Sequence, residues 1–282
     1  MTFLQAIILA AVQGVTELFP VSSLGHAVIL PRLLGWPIDE HDPSFLPFLV
    51  MLHLGTAVAL LIYFWQDWVG ILFAVLGVGS AENVSFGRRL LLRIIVGTIP
   101  AVVIGFALEK PLRALFGSPS LVALVLALNG LVLFTAERLR RSASGTTRLR
   151  DLSYGRALFI GACQAGALIP GLSRSGLTIG AGLGMGLNHA QSARFSFLLA
   201  APIIAGAAVL EVPKLLHAAS AGAIGMSLSL VGGLVAAVTA YASVAFLMRF
   251  FRKHEFEALD PFAGYCVIAG VGAAVLFFTG LV

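Results

Sequence analysis

Apolar stretches of roughly 17 to 25 residues return repeatedly along this chain, and no other feature restricts its fold as much. Runs of that length match a bilayer core crossed by helices, not the alternating ten-residue strands of a barrel. Composition agrees: 59% of the 282 residues are hydrophobic and 11% charged, with a mean hydropathy of +0.99, far from a soluble domain. The fold class implied is an all-α integral membrane protein. A formal charge of +5 could suggest nucleic acid. The Lys and Arg residues sit in short loops beside apolar runs, however, so topology accounts for them and no nucleic-acid partner is expected. Cys163 and Cys266 lie in apolar segments and read as buried thiols, not a disulfide framework. The first basic residue is Arg32, so the amino-terminal segment lacks the basic region of a cleavable signal peptide and is expected to remain.

Six stretches read as full spans, at about 45 to 65, 89 to 108, 120 to 138, 193 to 212, 224 to 250 and 261 to 281. Residues 69 to 79 are apolar but too short to cross and are expected in the interface. Two further segments are interrupted: residues 3 to 36 by Phe19, Pro20 and Ser22 to Gly25, and residues 155 to 187 by Pro170, Gly171 and Ser173 to Gly176. Each reads as a re-entrant helical hairpin, permitted in a membrane only where protein or a watery cavity surrounds the broken backbone. On that topology thirteen of the 18 Lys and Arg residues fall on one side, against Arg32, Lys110, Arg113 and Lys214 on the other, with Arg174 inside the second hairpin. The richer side is therefore cytoplasmic and both termini are expected outside.

The halves also resemble each other. At an offset of 151, Gln13 aligns with Gln164, Ser22 with Ser173, Gly25 with Gly176, Gly35 with Gly186, Gly55 with Gly206 and Ala57 with Ala208. One polytopic domain is expected over 1–282: a first half over about 1–138, a cytoplasmic loop over about 139–154 and a second half over about 155–282. Each half is a hairpin plus three spans. Three is odd, so the second copy enters upside down, giving inverted-topology repeats whose broken helices meet near the midplane.

An ionised side chain deep in a bilayer costs about 2.5–3.5 kcal/mol on insertion scales, so Glu17, His26 and Arg174 need partners or a role. "QGVTELFPVSSLGH", residues 13 to 26, sets Gln13 and Glu17 one turn apart on a helix that Pro20 ends. Ser22 then caps a second helix whose first turn holds Ser23, Gly25 and His26. "PGLSRSGLT", residues 170 to 178, repeats the plan with Ser173 as cap and Arg174 in the first turn. Two helix amino termini facing one cavity beside an arginine call for an anion, most plainly a phosphate.

These two motifs, with "GTIPA" at 97–101 and "FSFLLAAP" at 195–202, resemble the undecaprenyl-diphosphate phosphatase (bacitracin resistance) family over nearly the whole chain. The resemblance implies hydrolysis of a C55 polyprenyl diphosphate to the monophosphate and inorganic phosphate. That would recycle the lipid carrier of peptidoglycan synthesis at the outer (periplasmic) face of the bacterial inner membrane. It also implies a divalent metal, Mg²⁺ or Ca²⁺, and, at family level only, a homodimer. Carried over position by position, the functional residues are Gln13, Glu17, Ser23, His26 and Arg174. Many members carry glutamate where this chain has Gln13, and threonine is frequent where it has Leu24.

The expected division of labour gives the metal to Glu17 and Gln13. Arg174, with Ser22, Ser173, Ser175 and Gly176 at the helix starts, grips the phosphates. Ser23 is the first choice of nucleophile, with His26 accepting its proton; attack by His26 itself, or by a water it activates, stays open. Blander readings stand beside these. Ser22 and Ser173 read as caps more than as chemistry, and Ser175 as a phosphate ligand or a bond to its own helix. His53 lies in the next apolar span, from which it could approach the cavity, and reads by preference as a residue packing beside Gly55. Glu109, Glu137 and Glu211 read as solvated, and Tyr63, Trp65 and Trp68 as interfacial anchors. The arginine run at 138 to 150 reads as a mobile cytoplasmic loop touching anionic lipid. A different class of function, a transporter or flippase for polyprenyl phosphate or another anion, follows from the inverted repeat alone.

Overall fold

In a computed structural model, residues 1–38, 45–113, 118–142, 147–220, 226–254 and 256–281 are described, and among them the regular structure is helical. The helices are α1 (Phe3–Leu18), α2 (Ser23–Leu33), α3 (Phe45–Tyr63), α4 (Trp65–Leu76), α5 (Ala81–Arg113), α6 (Pro119–Ser142), α7 (Tyr154–Gln164), α8 (Arg174–Gly184), α9 (His189–Ser220), α10 (Met226–Lys253) and α11 (Asp260–Thr279). Helices occupy all six positions expected of spans. Four stretches, Ala81–Leu108, Pro119–Arg140, Ser227–Lys253 and Asp260–Thr279, are long and apolar enough to cross a membrane. The α3–α4 pair could supply a fifth crossing, but it bends by 72°, so α4 does not simply prolong α3.

The long helices are apolar outside as well as inside. Phe106, Leu234, Val238, Ile268 and Phe278 are each more than half exposed, a surface suited to hydrocarbon and not to water. Lipid gives apolar side chains no reason to leave it, so helices associate where small residues let backbones approach. Here α1 and α3 pack on α10, α7 packs on α5, and α11 on α6. A Cβ on Gly55 would overlap the Gly233 carbonyl, and one on Gly161 would overlap the Gly97 carbonyl. These two crossings therefore exist only as glycine contacts.

Both interrupted segments break where expected. At 1.5 Å per residue, the 16 residues of α1 reach about 24 Å and the 11 residues of α2, α7 and α8 about 17 Å. None matches a hydrocarbon core of roughly 30 Å. Each break frees backbone groups that must find partners. Ser22 accepts from the Gly25 N–H at 3.2 Å and Ser173 from the Gly176 N–H at 3.1 Å, as the caps they were read to be. Asn129, fully buried on α6, serves both breaks. Its Nδ2 donates to the Pro20 carbonyl (3.0 Å) and its Oδ1 accepts from the Ser173 N–H (2.9 Å). Ser175 Oγ donates across from the second break to the Phe19 carbonyl (3.2 Å) and contacts that of Glu17 (3.4 Å). Gly171 turns the second break at φ 103° with a would-be Cβ 2.6 Å from the Val122 carbonyl, so a side chain is excluded by conformation and by space.

Two expectations are corrected away from the breaks. Glu137 is not solvated: it is fully buried, its Oε2 2.8 Å from His189 Nε2. It also accepts from the backbone N–H groups of Glu257 (2.8 Å) and Leu259 (3.1 Å), tying α6 to α9 and to the α10–α11 turn. The position was misread because it lies near a helix end, where a carboxylate usually meets water. The arginine run is not wholly a mobile loop either. Thr147 bonds the Gly186 carbonyl, Leu149 bonds the Gln191 side chain, and Arg93 holds the carbonyls of Leu149 and Arg150. Residues 143–146 of that run, and the side chains of Glu109 and Glu211, lie outside the described residues. Cys163 and Cys266 are free thiols, only Cys266 being fully buried.

Replacing Glu137 by Ala leaves a buried histidine and two backbone donors without their acceptor. Glu137→Ala is expected to cost about 1–3 kcal/mol, the range for leaving buried polar groups unsatisfied, read as a lowered midpoint of thermal unfolding in detergent. A midpoint unchanged from the parent protein would mean that this carboxylate holds nothing together.

Candidate active site

The two breaks open onto one cavity of about 350 Å³. Glu17, Ser22, Ser23, His53, Gln164, Ser173 and Arg174 form its polar side, and residues including Leu24, Leu49, Ala101, Leu168, Leu172, Ile203 and Ile204 its apolar walls. The sequence thus brings together what it keeps 157 residues apart: Arg174 Nη2 donates to Glu17 Oε1 at 2.7 Å. Arg174 Nη1 is steadied by the Ser196 carbonyl at 3.2 Å, from α9. Ser196 itself bonds Thr178 at 2.6 Å, and Thr178 bonds the Arg174 carbonyl, so the "FSFLLAAP" segment braces the arginine.

Glu17 is the hub. Its Oε2 accepts from Ser23 Oγ at 2.6 Å and from Gln13 Nε2 at 3.2 Å, and faces His53 Nε2 at 3.3 Å. His53 Nδ1 lies 2.8 Å from the Leu49 carbonyl. A carbonyl only accepts, and so does a carboxylate, so with Glu17 ionised both ring nitrogens donate, as in an imidazolium. One carboxylate then stands between two cations, and the cluster of Glu17, His53 and Arg174 carries net positive charge. In a site with apolar walls that excess is best balanced by an anion.

Two sequence readings change. His53, taken as packing beside Gly55, belongs to the site. The pairing of Ser23 with His26 is not what the fold builds. His26 Nδ1–H donates to the Ser22 carbonyl (2.7 Å) and its Nε2 accepts from Tyr265 Oη on α11 (2.7 Å), and His26 is absent from the cavity lining. The reason is helical geometry. Residues 23 and 26 are three apart, but the ring is held back against the carbonyl four residues before it, and the Ser23 hydroxyl reaches the carboxylate instead. The carbonyl that His26 holds belongs to a strained residue: Ser22 sits at φ 67°, a conformation that costs a non-glycine residue on the order of 1–3 kcal/mol.

The remaining expected phosphate ligands divide. Ser22, Ser173 and Arg174 line the cavity, whereas Ser175 and Gly176 do not. Ser175 is spent on the first break, and the Gly176 N–H on the Ser173 cap. A metal would find one carboxylate here. Among the described residues no group of three or more His, Cys, Asp or Glu side chains could hold an ion. Glu17 suits a cation otherwise carried by phosphate oxygens, the usual way Mg²⁺ is bound. Gln13 turns its NH₂ toward Glu17, 3.2 Å from Oε2.

Three residues at or beside this site were given no role by the sequence reading. His53 had only its presence in an apolar run as a signal. Asn129 had the same, a lone amide in "LALNGLVL", where an unpaired polar group is costly. Gln164 was aligned with Gln13 but given no task.

The family described as "Bacitracin resistance protein BacA" matches residues 6–272. A protein of Acidiphilium cryptum named undecaprenyl-diphosphatase is 54% identical over 277 residues, covering 98% of each chain. One of Granulibacter bethesdensis with the same name is 51% identical, covering 97% of this chain and 96% of its own. Chromobacterium violaceum has an undecaprenyl-diphosphatase 2 that is also 51% identical, covering 96% of this chain and 97% of its own. A match of this extent, with Glu17, Ser23 and Arg174 gathered at one cavity, makes this chain a member of the bacitracin resistance protein BacA family.

Proposed function

We infer that this chain is a membrane hydrolase that cleaves undecaprenyl diphosphate to undecaprenyl phosphate and inorganic phosphate, recycling the lipid carrier of cell-wall synthesis and thereby giving resistance to bacitracin. The observation that carries the chemistry is the contact of Ser23 Oγ with Glu17 Oε2 at 2.6 Å, beside Arg174 at 2.7 Å. An anion-binding site for transport needs no hydroxyl seated on a carboxylate, so the transporter reading is not favoured. The cavity suits a lipid diphosphate on both counts, with cations for the head group and apolar walls for the start of the chain.

In the mechanism we propose, the incoming diphosphate draws Arg174 from the carboxylate to phosphate oxygens. Ser23 Oγ attacks the terminal phosphorus and gives its proton to Glu17, while the anhydride P–O bond breaks and undecaprenyl phosphate departs with the electron pair. Water then cleaves the serine phosphate, with Glu17 handling the proton. Arg174, His53 and the two helix amino termini stabilise the charge spread over the phosphoryl oxygens. His26 is a positioning residue that pins the Ser22 carbonyl and so the turn that presents Ser23. A divalent ion, Mg²⁺ or Ca²⁺, would be held by Glu17 together with the substrate's own oxygens and would supply further neutralisation of the phosphates.

The architecture we propose around this is six spans and two re-entrant hairpins in one domain, related as inverted repeats, with both termini outside and the cavity open to the outer face of the inner membrane. The support is that α2 and α8 differ by 151 at both ends (174 − 23 and 184 − 33). It is also that α1 packs on α10 of the second half while α7 packs on α5 of the first. Association as a homodimer remains a family-level proposal.

Phosphate release from farnesyl diphosphate by the purified protein tests the function. Ser23→Ala, Glu17→Ala and Arg174→Ala are each expected to lower kcat by at least about a hundredfold, and near-normal turnover in Ser23→Ala would remove serine as the nucleophile. Loss of a charged hydrogen bond is worth about 1.5–3 kcal/mol, so His53→Ala is expected to lower kcat/KM roughly ten- to a hundredfold. For His26 the informative pair is His26→Asn and His26→Gln. Asparagine can place an N–H near Nδ1 and is expected to retain more kcat; equal loss in both would favour a proton-transfer role. Chelation by EDTA is expected to stop turnover. Calorimetry with Mg²⁺ alone should show no tight binding, because the ion arrives with the diphosphate; saturation without substrate would contradict that.

A further inference from the structure

Gln164 ends α7 with 3% of its surface exposed and lines the same cavity as Glu17, Ser23, His53 and Arg174. Among the described residues neither its Nε2 nor its Oε1 has a hydrogen-bond partner. Every other polar side chain of that wall is engaged. Ser22 and Ser173 cap their helices, Ser23 and His53 meet Glu17, and Arg174 meets Glu17 and Ser196. A buried amide with both ends unmet is costly, and folded proteins keep such groups where something outside the chain meets them.

The other half of the chain shows what the amide lacks. Gln164 and Gln13 differ by 151 (164 − 13), and Gln13 donates to Glu17 at 3.2 Å, one helical turn on. The residue at the same offset from Glu17 is Leu168 (168 − 17), which is apolar. One glutamine therefore has its carboxylate and the other has none. Among the groups that share its cavity, Arg174 and an imidazolium His53 are cationic, so the ligand that reaches Gln164 is an anion that accepts.

We propose that Gln164 donates its amide N–H to a phosphate oxygen of the bound lipid diphosphate, the ligand standing where Glu17 stands for Gln13. This rests on the hydrolase reading above. The amide recognises a phosphoryl oxygen and adds no charge, which distinguishes its contribution from that of Arg174.

The test compares the full-length protein in detergent with Gln164→Leu and Gln164→Glu, measuring farnesyl diphosphate hydrolysis and the shift in melting temperature caused by inorganic pyrophosphate. Gln164→Leu is expected to leave the melting temperature of the ligand-free protein unchanged or raised. It should lower kcat/KM at least tenfold, chiefly through KM, and reduce the pyrophosphate shift. Gln164→Glu keeps the size, loses the donor and adds a like charge, so it should lose more. Inhibition by orthophosphate and by farnesyl monophosphate assigns the oxygen. A weakened effect of the first puts the contact on the terminal phosphate, and of the second on the inner one. Wild-type kinetics and an undiminished shift in Gln164→Leu would overturn the proposal. So would a lowered melting temperature of its ligand-free form, which would make the amide structural, or activity retained in Gln164→Glu, which would make it act through its oxygen. If the wild-type protein cleaves nothing while Gln164→Leu still loses the pyrophosphate shift, the hydrolase reading fails and this contact stands.

Discussion

A helix can be broken in a low-dielectric interior only if the freed backbone groups meet partners, and a single amide on α6 meets one such group at each break. Asn129 gives its NH₂ to the Pro20 carbonyl and its oxygen to the Ser173 N–H. Donor and acceptor are consumed by different halves, so each break is completed only when the other is present. Ser175 adds a second link of the same kind, from the second break to the Phe19 carbonyl. The positions of Glu17 and Arg174 follow from these links, because each lies within a few residues of a backbone group that Asn129 or Ser175 holds. The ion pair at 2.7 Å is therefore a result of how the breaks are satisfied and not their cause.

That order of dependence explains the electrostatics of the site. Two cations and one carboxylate in an apolar-walled cavity would not assemble for their own stability, since desolvation of buried charges commonly exceeds their mutual attraction. Here the scaffold imposes the meeting, and the unbalanced positive charge is left for a ligand. The hydroxyl of Ser23 and the guanidinium of Arg174 compete with His53 for the same carboxylate. A diphosphate offers the cations a better partner, and the carboxylate is then free to act on the hydroxyl.

Much of this was legible in the sequence because charges and helix breakers are rare in an apolar chain. Glu17, Pro20, Ser173 and Arg174 stand out for that reason, and both breaks and both caps were placed correctly. Partners were far less legible. Ser23 and His26 are close in sequence, which suggested a pair, yet the rotamer of the imidazole sends it to the Ser22 carbonyl and Tyr265, a residue 239 positions away. His53 looked like packing because a histidine beside a glycine has no periodicity to read. The partner that makes it functional sits on α1, a different element. Glu137 failed for a related reason: nearness to a helix end predicts water, and only the docking of α9 and of the turn before α11 removes it. Residue type and local spacing show where polar groups must be explained. Which group explains which is decided by contacts between segments distant in the chain.

The proposed relation between the halves also accounts for why the site is unlike on its two sides. At the common offset of 151, Ser23 corresponds to Arg174 and Glu17 to Leu168, while Gln13 and Gln164 are the same residue. Two identical breaks meeting at one cavity would set two carboxylates, or two guanidinium groups, within reach of each other, and like charges in an apolar surround cannot both stay ionised. Divergence at those positions removes the repulsion and separates the tasks: one half supplies the hydroxyl and its base, the other the guanidinium. The caps, by contrast, are serine in both, since a helix start presents the same unmet N–H groups in either half. What the two breaks share is thus dictated by backbone chemistry, and what distinguishes them is dictated by charge.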